Sequence, residues 1–116
     1  GHPAGDQVIK WVAKTLGESI RPYDTLGRYG GEEFLVVIPG AAPEGAVAAA
    51  ERARLAIERQ PCVVDGMEMR ITVSAGTATS AADMDTDALL RLADAALYRA
   101  KEAGRNRVVG AGMPNG

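Results

Sequence analysis

Aromatic residues are scarce in this chain, with one Trp, one Phe and three Tyr among 116 residues. A chain of this length still buries a sizeable core, so Ala, Val, Leu and Ile must build it, with Met filling gaps. The single cysteine, Cys62, excludes any disulfide within the chain. Its Cys-Val-Val setting marks it as a small buried hydrophobe. The single histidine, His2, gives no support to a His-based zinc site or catalytic triad. A net charge of -2 lacks the basic footprint that nucleic-acid binding requires. No apolar run reaches the length of a membrane span. Cytoplasmic residence without membrane contact is therefore expected of this domain, any membrane anchor of the parent lying in another domain. The chain opens on Gly1 with neither Met nor a signal segment, and is read as a fragment of a longer protein.

Periodicity supplies the elements. Val8, Val12, Leu16 and Ile20 recur every fourth residue, which predicts a helix over 6–20 with Asp6 as N-cap or first-turn acid. Leu26–Tyr29 and Phe34–Ile38 flank a glycine pair as two antiparallel strands, and Pro39-Gly40 ends the second. A second helix is expected over 43–59, with Pro43 in its first turn. Cys62–Val64 and a long strand over 67–79 form a hairpin about Asp65-Gly66. In that strand Gly76 permits close approach of a neighbouring backbone. A third helix over 86–103, capped at Asp85 or Thr86, is terminated by Gly104. A short strand at 107–109 and a frayed tail over 110–116 complete the chain. The order α-ββ-α-ββ-α-β indicates a layered α/β or α+β domain, a mixed sheet with helices on a face, and an opening strand missing.

Three constellations carry chemistry. Arg28-Tyr29-Gly30-Gly31-Glu32-Glu33-Phe34 places two glycines and two carboxylates at a hairpin tip. The glycines allow positive φ and expose backbone N–H groups, and hard carboxylate oxygens suit magnesium. An acidic turn is the plain alternative. On the third helix, Asp94, Tyr98, Lys101 and Arg105 fall on one side if the helical register persists. Lys101 and Arg105 either complement the helix dipole or form a phosphate clamp, with Arg105 as the fork. Arg21-Pro22-Tyr23-Asp24 is either a turn with its own ion pair or a frame for a ligand. Arg52, on the second helix, is a surface charge unless the fold brings it to that patch.

Read together with Gly1-His2-Pro3-Ala4-Gly5-Asp6, with Ala93-Asp94-Ala95-Ala96-Leu97-Tyr98-Arg99-Ala100-Lys101 and with Gly104-Arg105-Asn106, the hairpin motif resembles the GGDEF family, the diguanylate cyclase domains, in the Gly-Gly-Glu-Glu-Phe variant. The resemblance spans Gly1 to about Val109. It implies a palm-like α/β (α+β) domain related to nucleotide cyclases and polymerases, with a central mixed or antiparallel sheet flanked by helices. It also implies condensation of two GTP into cyclic di-GMP and two pyrophosphates with Mg2+ (or Mn2+), in a homodimer whose second GGDEF domain faces the first. By the same resemblance Asp6 reads guanine, and Gly30 and Gly31 line the nucleotide. Glu32 ligates the metal and assists the 3′-hydroxyl, Glu33 supports that site, and Lys101 and Arg105 bind the terminal phosphates. Arg21 and Asp24 match the family's Arg-x-x-Asp product-inhibition motif, with Arg52 as its second contact and cyclic di-GMP as its regulatory ligand.

Family members also carry an earlier strand and helix bearing a metal-binding Asp, a phosphate-contacting Lys and a guanine-contacting Asn. These are not in the 116 residues. Residues 1–109 are accordingly expected to be a partial domain, normally preceded by a sensory or receiver domain. The fragment alone is expected to be inactive in turnover. A cyclic di-GMP-binding regulatory module without turnover is the alternative.

Overall fold

The computed structural model describes residues 3–113. Three helices, α1 (Pro3–Ser19), α2 (Pro43–Arg59) and α3 (Thr86–Glu102), are interleaved with six short strands. β1 (Thr25–Arg28) and β2 (Phe34–Val37) form one antiparallel hairpin, with Arg28 opposite Phe34. β3 (Cys62–Val64) and β4 (Met67–Met69) form a second, turning on Asp65 and Gly66, both of positive φ. β5 (Ala75–Thr77) pairs in parallel with β6 (Val108–Gly110). The order is the expected one except that three strands, not two, lie between α2 and α3, and the fold is α+β. The sheet consists of three two-stranded ladders among the described residues.

The expected long strand over 67–79 is broken. Residues 70–74 lie outside any ladder among the described residues, and a backbone without hydrogen-bonding neighbours does not make a strand. Their alternation nevertheless acts as anticipated. Ile71 and Val73 pack against the larger core, formed by Val12, Leu16 and Ile57 with Val8, Trp11, Leu26, Phe34 and Ala53 around them. A second core joins Ala96 and Ala100 of α3 to Val109 of β6. The residues that α3 gives this core are alanines, and Gly76 of β5 lies against the same helix, so α3 comes very close to β5. An ideal Cβ on Gly76 would stand 2.2 Å from Leu97 N and 2.4 Å from Ala93 O.

The helix ends follow local chemistry. α1 begins at Pro3, three residues before the start expected at 6, because proline fits a first helical turn. Asp6 is consequently a first-turn acid and not the N-cap. At the start of α3, Asp85 Oδ1 accepts from Ala88 N–H at 2.8 Å, as a capping side chain should. At its end Gly104 N–H donates to Lys101 O at 3.3 Å and Arg105 N–H to Ala100 O at 3.0 Å. This double closure is a Schellman motif with left-handed Gly104 (φ 121°).

Residues 110–113, expected to belong to a frayed tail, are held in place. Gly110 is the buried last residue of β6, and Ala111 N–H donates to Thr77 O at 2.8 Å. Arg99 holds the Gly110 and Met113 carbonyls. Residues 114–116, with Gly1 and His2, lie outside the described residues.

Candidate functional site

The β1–β2 hairpin carries the glycine–carboxylate motif on a short loop. Tyr29 N–H and Gly30 N–H both donate to Glu33 O, at 2.8 and 3.2 Å, which closes the tip. Arg28 folds back over it, donating from Nε to Gly30 O at 3.1 Å and from Nη2 to Gly31 O. Its guanidinium carbon stands 5.8 Å from the Phe34 ring centroid, within cation–π range. With the Gly30 and Gly31 carbonyls held by Arg28, the N–H groups of Gly31 and Glu32 have no protein acceptor among the described residues. Glu32 is exposed and Glu33 half-buried.

Neither Gly30 nor Gly31 has a positive φ, contrary to the conformational reason expected for them. A Cβ at Gly31 would meet nothing within 4 Å, and one at Gly30 would make only ordinary contact with Glu33, at 3.7 Å. The chain's own packing therefore does not require glycine at either position. The open space in front of them is a cradle that side chains would fill. Below the tip, an open cleft of about 310 Å³ lies between α1 and the hairpin, lined by Ile9, Lys10 and Ala13 and by Leu26, Arg28 and Phe34. Asp6 is exposed on the first turn of α1.

Lys101 and Arg105 do not share a helix face. The register that would have aligned them ends at Glu102, and Arg105 sits beyond the Schellman turn at φ 63°. Both are exposed, and the turn folds the Arg105 backbone onto the last turn of α3. Among the described residues neither cationic head group has a hydrogen-bonded or ionic partner.

The structure does bring Arg21, Asp24 and Arg52 to one place. Asp24 Oδ2 accepts from Arg21 N–H at 2.9 Å, and Asp24 N–H donates to Arg21 O at 2.9 Å, so the four-residue turn is closed twice. Arg52 reaches across from α2 to the Ser19 carbonyl at 3.1 Å, at the end of α1 and two residues before Arg21. The Arg21 guanidinium donates to the Tyr23 hydroxyl at 3.2 Å, and Tyr23 is the main cause raising its pKa above the ordinary value. The pairing of Arg21 with Asp24 thus runs through the Arg21 backbone, leaving most of the guanidinium fork open. Asp24 Oδ1 is a buried atom with no protein partner.

Sequence reasoning missed a fourth cluster. Arg54, on α2, is only 13% exposed and joins Glu51, Glu58 and Asn106. Hydrogen bonding from Arg54 holds the Glu51 carboxyl below its ordinary range. Ser74, expected inside a strand, instead accepts from Asn106 N–H. Only the Glu51–Arg54–Glu58 spacing on α2 was visible in the sequence. Burial pushes the Cys62 thiol up, as its apolar setting implied.

For metal binding, no group of three His, Cys, Asp or Glu side chains converges among the described residues. Glu32, exposed at the tip, is a hard oxygen donor of the kind that suits magnesium, which commonly uses one or two protein carboxylates together with substrate phosphates. No helix among the described residues is long and apolar enough to cross a membrane.

The architecture and the hairpin together define a palm-like α+β domain with a glycine–carboxylate tip. Residues 1–107 match the family model described as "Diguanylate cyclase, GGDEF domain", and the chain belongs to the GGDEF family. Diguanylate cyclase A of Treponema denticola is 40% identical over 109 residues, covering 93% of this chain and 29% of that protein. The response regulator PleD of Caulobacter vibrioides is 43% identical over 113 residues, covering 95% of the chain and 25% of that protein. The chain thus spans between a quarter and a third of these relatives. Among solved structures, the GGDEF domain of DgcB from Caulobacter crescentus, in complex with c-di-GMP, superposes with a TM-score of 0.90 at 35% identity. That match covers 97% of this chain and 68% of the other.

Proposed function

We propose that the protein carrying this chain is a diguanylate cyclase that condenses two GTP into cyclic di-GMP with release of two pyrophosphates. The observation that carries this reading is the hairpin tip. Its two glycines are required neither by φ nor by packing, and it offers N–H groups without a partner among the described residues beside two carboxylates. A nucleotide phosphate accounts for both features. The family and its named relatives support the same reaction.

In this mechanism Asp6 hydrogen-bonds the guanine edge, and Gly30 and Gly31 let the nucleotide approach the backbone. Glu32 would hold Mg2+ (or Mn2+), with Glu33 supporting the site, and the ion when bound would offset charge on the phosphoryl oxygens. Glu32 also accepts the proton of the 3′-hydroxyl, which attacks the α-phosphorus of the GTP on the facing domain. The bond to the β-phosphate oxygen breaks, and pyrophosphate leaves. Two such attacks close the ring. Lys101 and Arg105 hold the terminal phosphates and offset the charge of the leaving group. Because each domain binds one GTP, a second GGDEF domain completes the reaction, and the homodimer is the catalytic unit. A sensory or receiver domain upstream would control that encounter.

The turn from Arg21 to Asp24, with Arg52, is the product-inhibition site in this reading. Cyclic di-GMP bound there would hold the domain away from the facing geometry. The buried, unpartnered Asp24 Oδ1 favours a ligand at this turn, and so keeps a second reading in view, a cyclic di-GMP-binding regulatory module without turnover. Two assays separate them. A cyclase releases one pyrophosphate per GTP and forms cyclic di-GMP, and Glu32→Ala abolishes both. A regulatory module binds cyclic di-GMP in calorimetry and forms none. Binding unaffected by Arg21→Ala would eliminate the inhibition site in either case.

A further inference from the structure

The connection from α3 to β6 places two successive non-glycine residues in the left-handed region, Arg105 at φ 63° and Asn106 at φ 49°. For Arg105 this costs on the order of 1 kcal/mol or more, while Asn106 adopts the region more readily, so the strained pair persists only where its surroundings hold it. The Asn106 side chain and backbone provide that hold. Its Oδ1 accepts from Arg54 Nη1 at 2.8 Å, its Nδ2 donates to Glu58 Oε2, and its N–H donates to Ser74 Oγ at 3.1 Å. Arg54 is itself fixed by both carboxylate oxygens of Glu51, at 3.1 Å from Nε, and approaches Glu58 at 3.5 Å. The Arg54 side chain is largely out of water, where a satisfied network rigidifies what it touches.

The Schellman motif already closes α3 at Arg105 N–H, so ending the helix does not require Asn106 to be tethered. What the tether fixes is the backbone direction just after Arg105, whose guanidinium points to solvent with no partner among the described residues. We infer that Arg54 and Asn106 are positioning residues. They lock the left-handed pair so that Arg105 and Lys101 front one polyphosphate anion, the pyrophosphate end of a nucleoside triphosphate. The inference rests on the proposed phosphate role of Lys101 and Arg105. A cation held in place before the ligand arrives loses less freedom on binding.

The test is a titration of the protein carrying this chain with magnesium pyrophosphate, followed at the Arg105 Nε–H resonance by NMR. It is run at a temperature where circular dichroism shows each variant fully folded. The native chain gives a saturable shift. Asn106→Gly keeps the left-handed backbone available but removes the side-chain tether, and Arg54→Lys keeps the charge but loses the planar fork. Both raise the apparent Kd about tenfold, near the low end of what a charge-assisted hydrogen bond contributes. Ser74→Ala removes a single acceptor and raises it about threefold; it carries the test if the other two variants do not fold. A native shift whose midpoint is unchanged in every folded variant overturns the bracing role and leaves the phosphate reading standing. No shift at Arg105 in the native chain overturns that reading and the inference with it.

Discussion

Gly76→Ala tests the packing that places α3, the helix leading to Lys101 and Arg105. The added Cβ would lie 2.2 Å from Leu97 N, 2.4 Å from Ala93 O and 2.8 Å from Leu97 Cα. All three are backbone atoms of α3, so no side-chain rotation relieves the contact, and the helix must move away from β5 by roughly an ångström to restore van der Waals distance. Overpacking of this kind costs about 1–3 kcal/mol, and rigid backbone on both sides puts it at the upper end. Gly76 has no positive φ, so alanine returns about 0.4–1 kcal/mol by restricting the unfolded chain. The net is a loss of about 2 kcal/mol or more. At about 4 °C per kcal/mol for a domain near 100 residues, the midpoint falls by about 8 °C or more, read by circular dichroism or calorimetry. A variant that melts within 2 °C of the native chain, about 0.5 kcal/mol at that slope, would refute the close approach of β5 to α3.

Two further perturbations have signs fixed by the structure. Gly104→Ala strains a left-handed position at φ 121° and is expected to cost about 1–3 kcal/mol. It should lower the urea midpoint with an unchanged slope; the nearby Arg107 Nη2 is the free end of a side chain and can move aside. The Glu51 carboxyl titrates below its ordinary value of 4.5 because Arg54 donates hydrogen bonds to it. Its contribution to stability is fully present above that value and is lost as pH falls through the lower, folded-state pKa. Because Glu51 is 42% exposed, solvent screening keeps the effect within the roughly 0–1 kcal/mol of an exposed pair. Melting temperature followed downward from pH 5 should show an acid decline that Glu51→Gln makes shallower; an identical decline in the variant would remove Arg54–Glu51 as its source.

Local signals carried most of the fold. Pro43 and Pro61 bracket α2, and it runs from Pro43 to Arg59 as its pattern indicates. Asp85 caps α3 because a carboxylate three residues before an orphan N–H satisfies it regardless of tertiary context. The strand over 67–79 failed for the opposite reason. Its alternation is a property of the side chains, while a ladder needs a second backbone, and none lies beside 70–74 among the described residues.

The same division explains the candidate sites. The turn of Arg21 and Asp24 spans four residues and was legible. The link between Arg54 and Asn106 joins residues 52 apart in the chain and had no periodic trace. Arg105 was placed on the wrong face because Gly104 reverses the backbone just before it. At the hairpin the motif was legible, and of the two reasons expected for its glycines the positive φ fails while the open backbone N–H groups remain. Gly30 and Gly31 are required neither by a positive φ nor by contact with the chain's own atoms, and the proposed nucleotide would account for them.

The most direct measurement is therefore made at Gly31. In the protein carrying this chain, Gly31→Ala adds a Cβ that meets no protein atom within 4 Å, at a position without positive φ. The expected change in stability is within about 0.5 kcal/mol of zero. The proposed nucleotide occupies that space, so the variant should melt with the native protein yet lose most of its cyclic di-GMP formation from GTP and magnesium. Native melting together with native turnover would contradict the placement of the nucleotide at the hairpin tip.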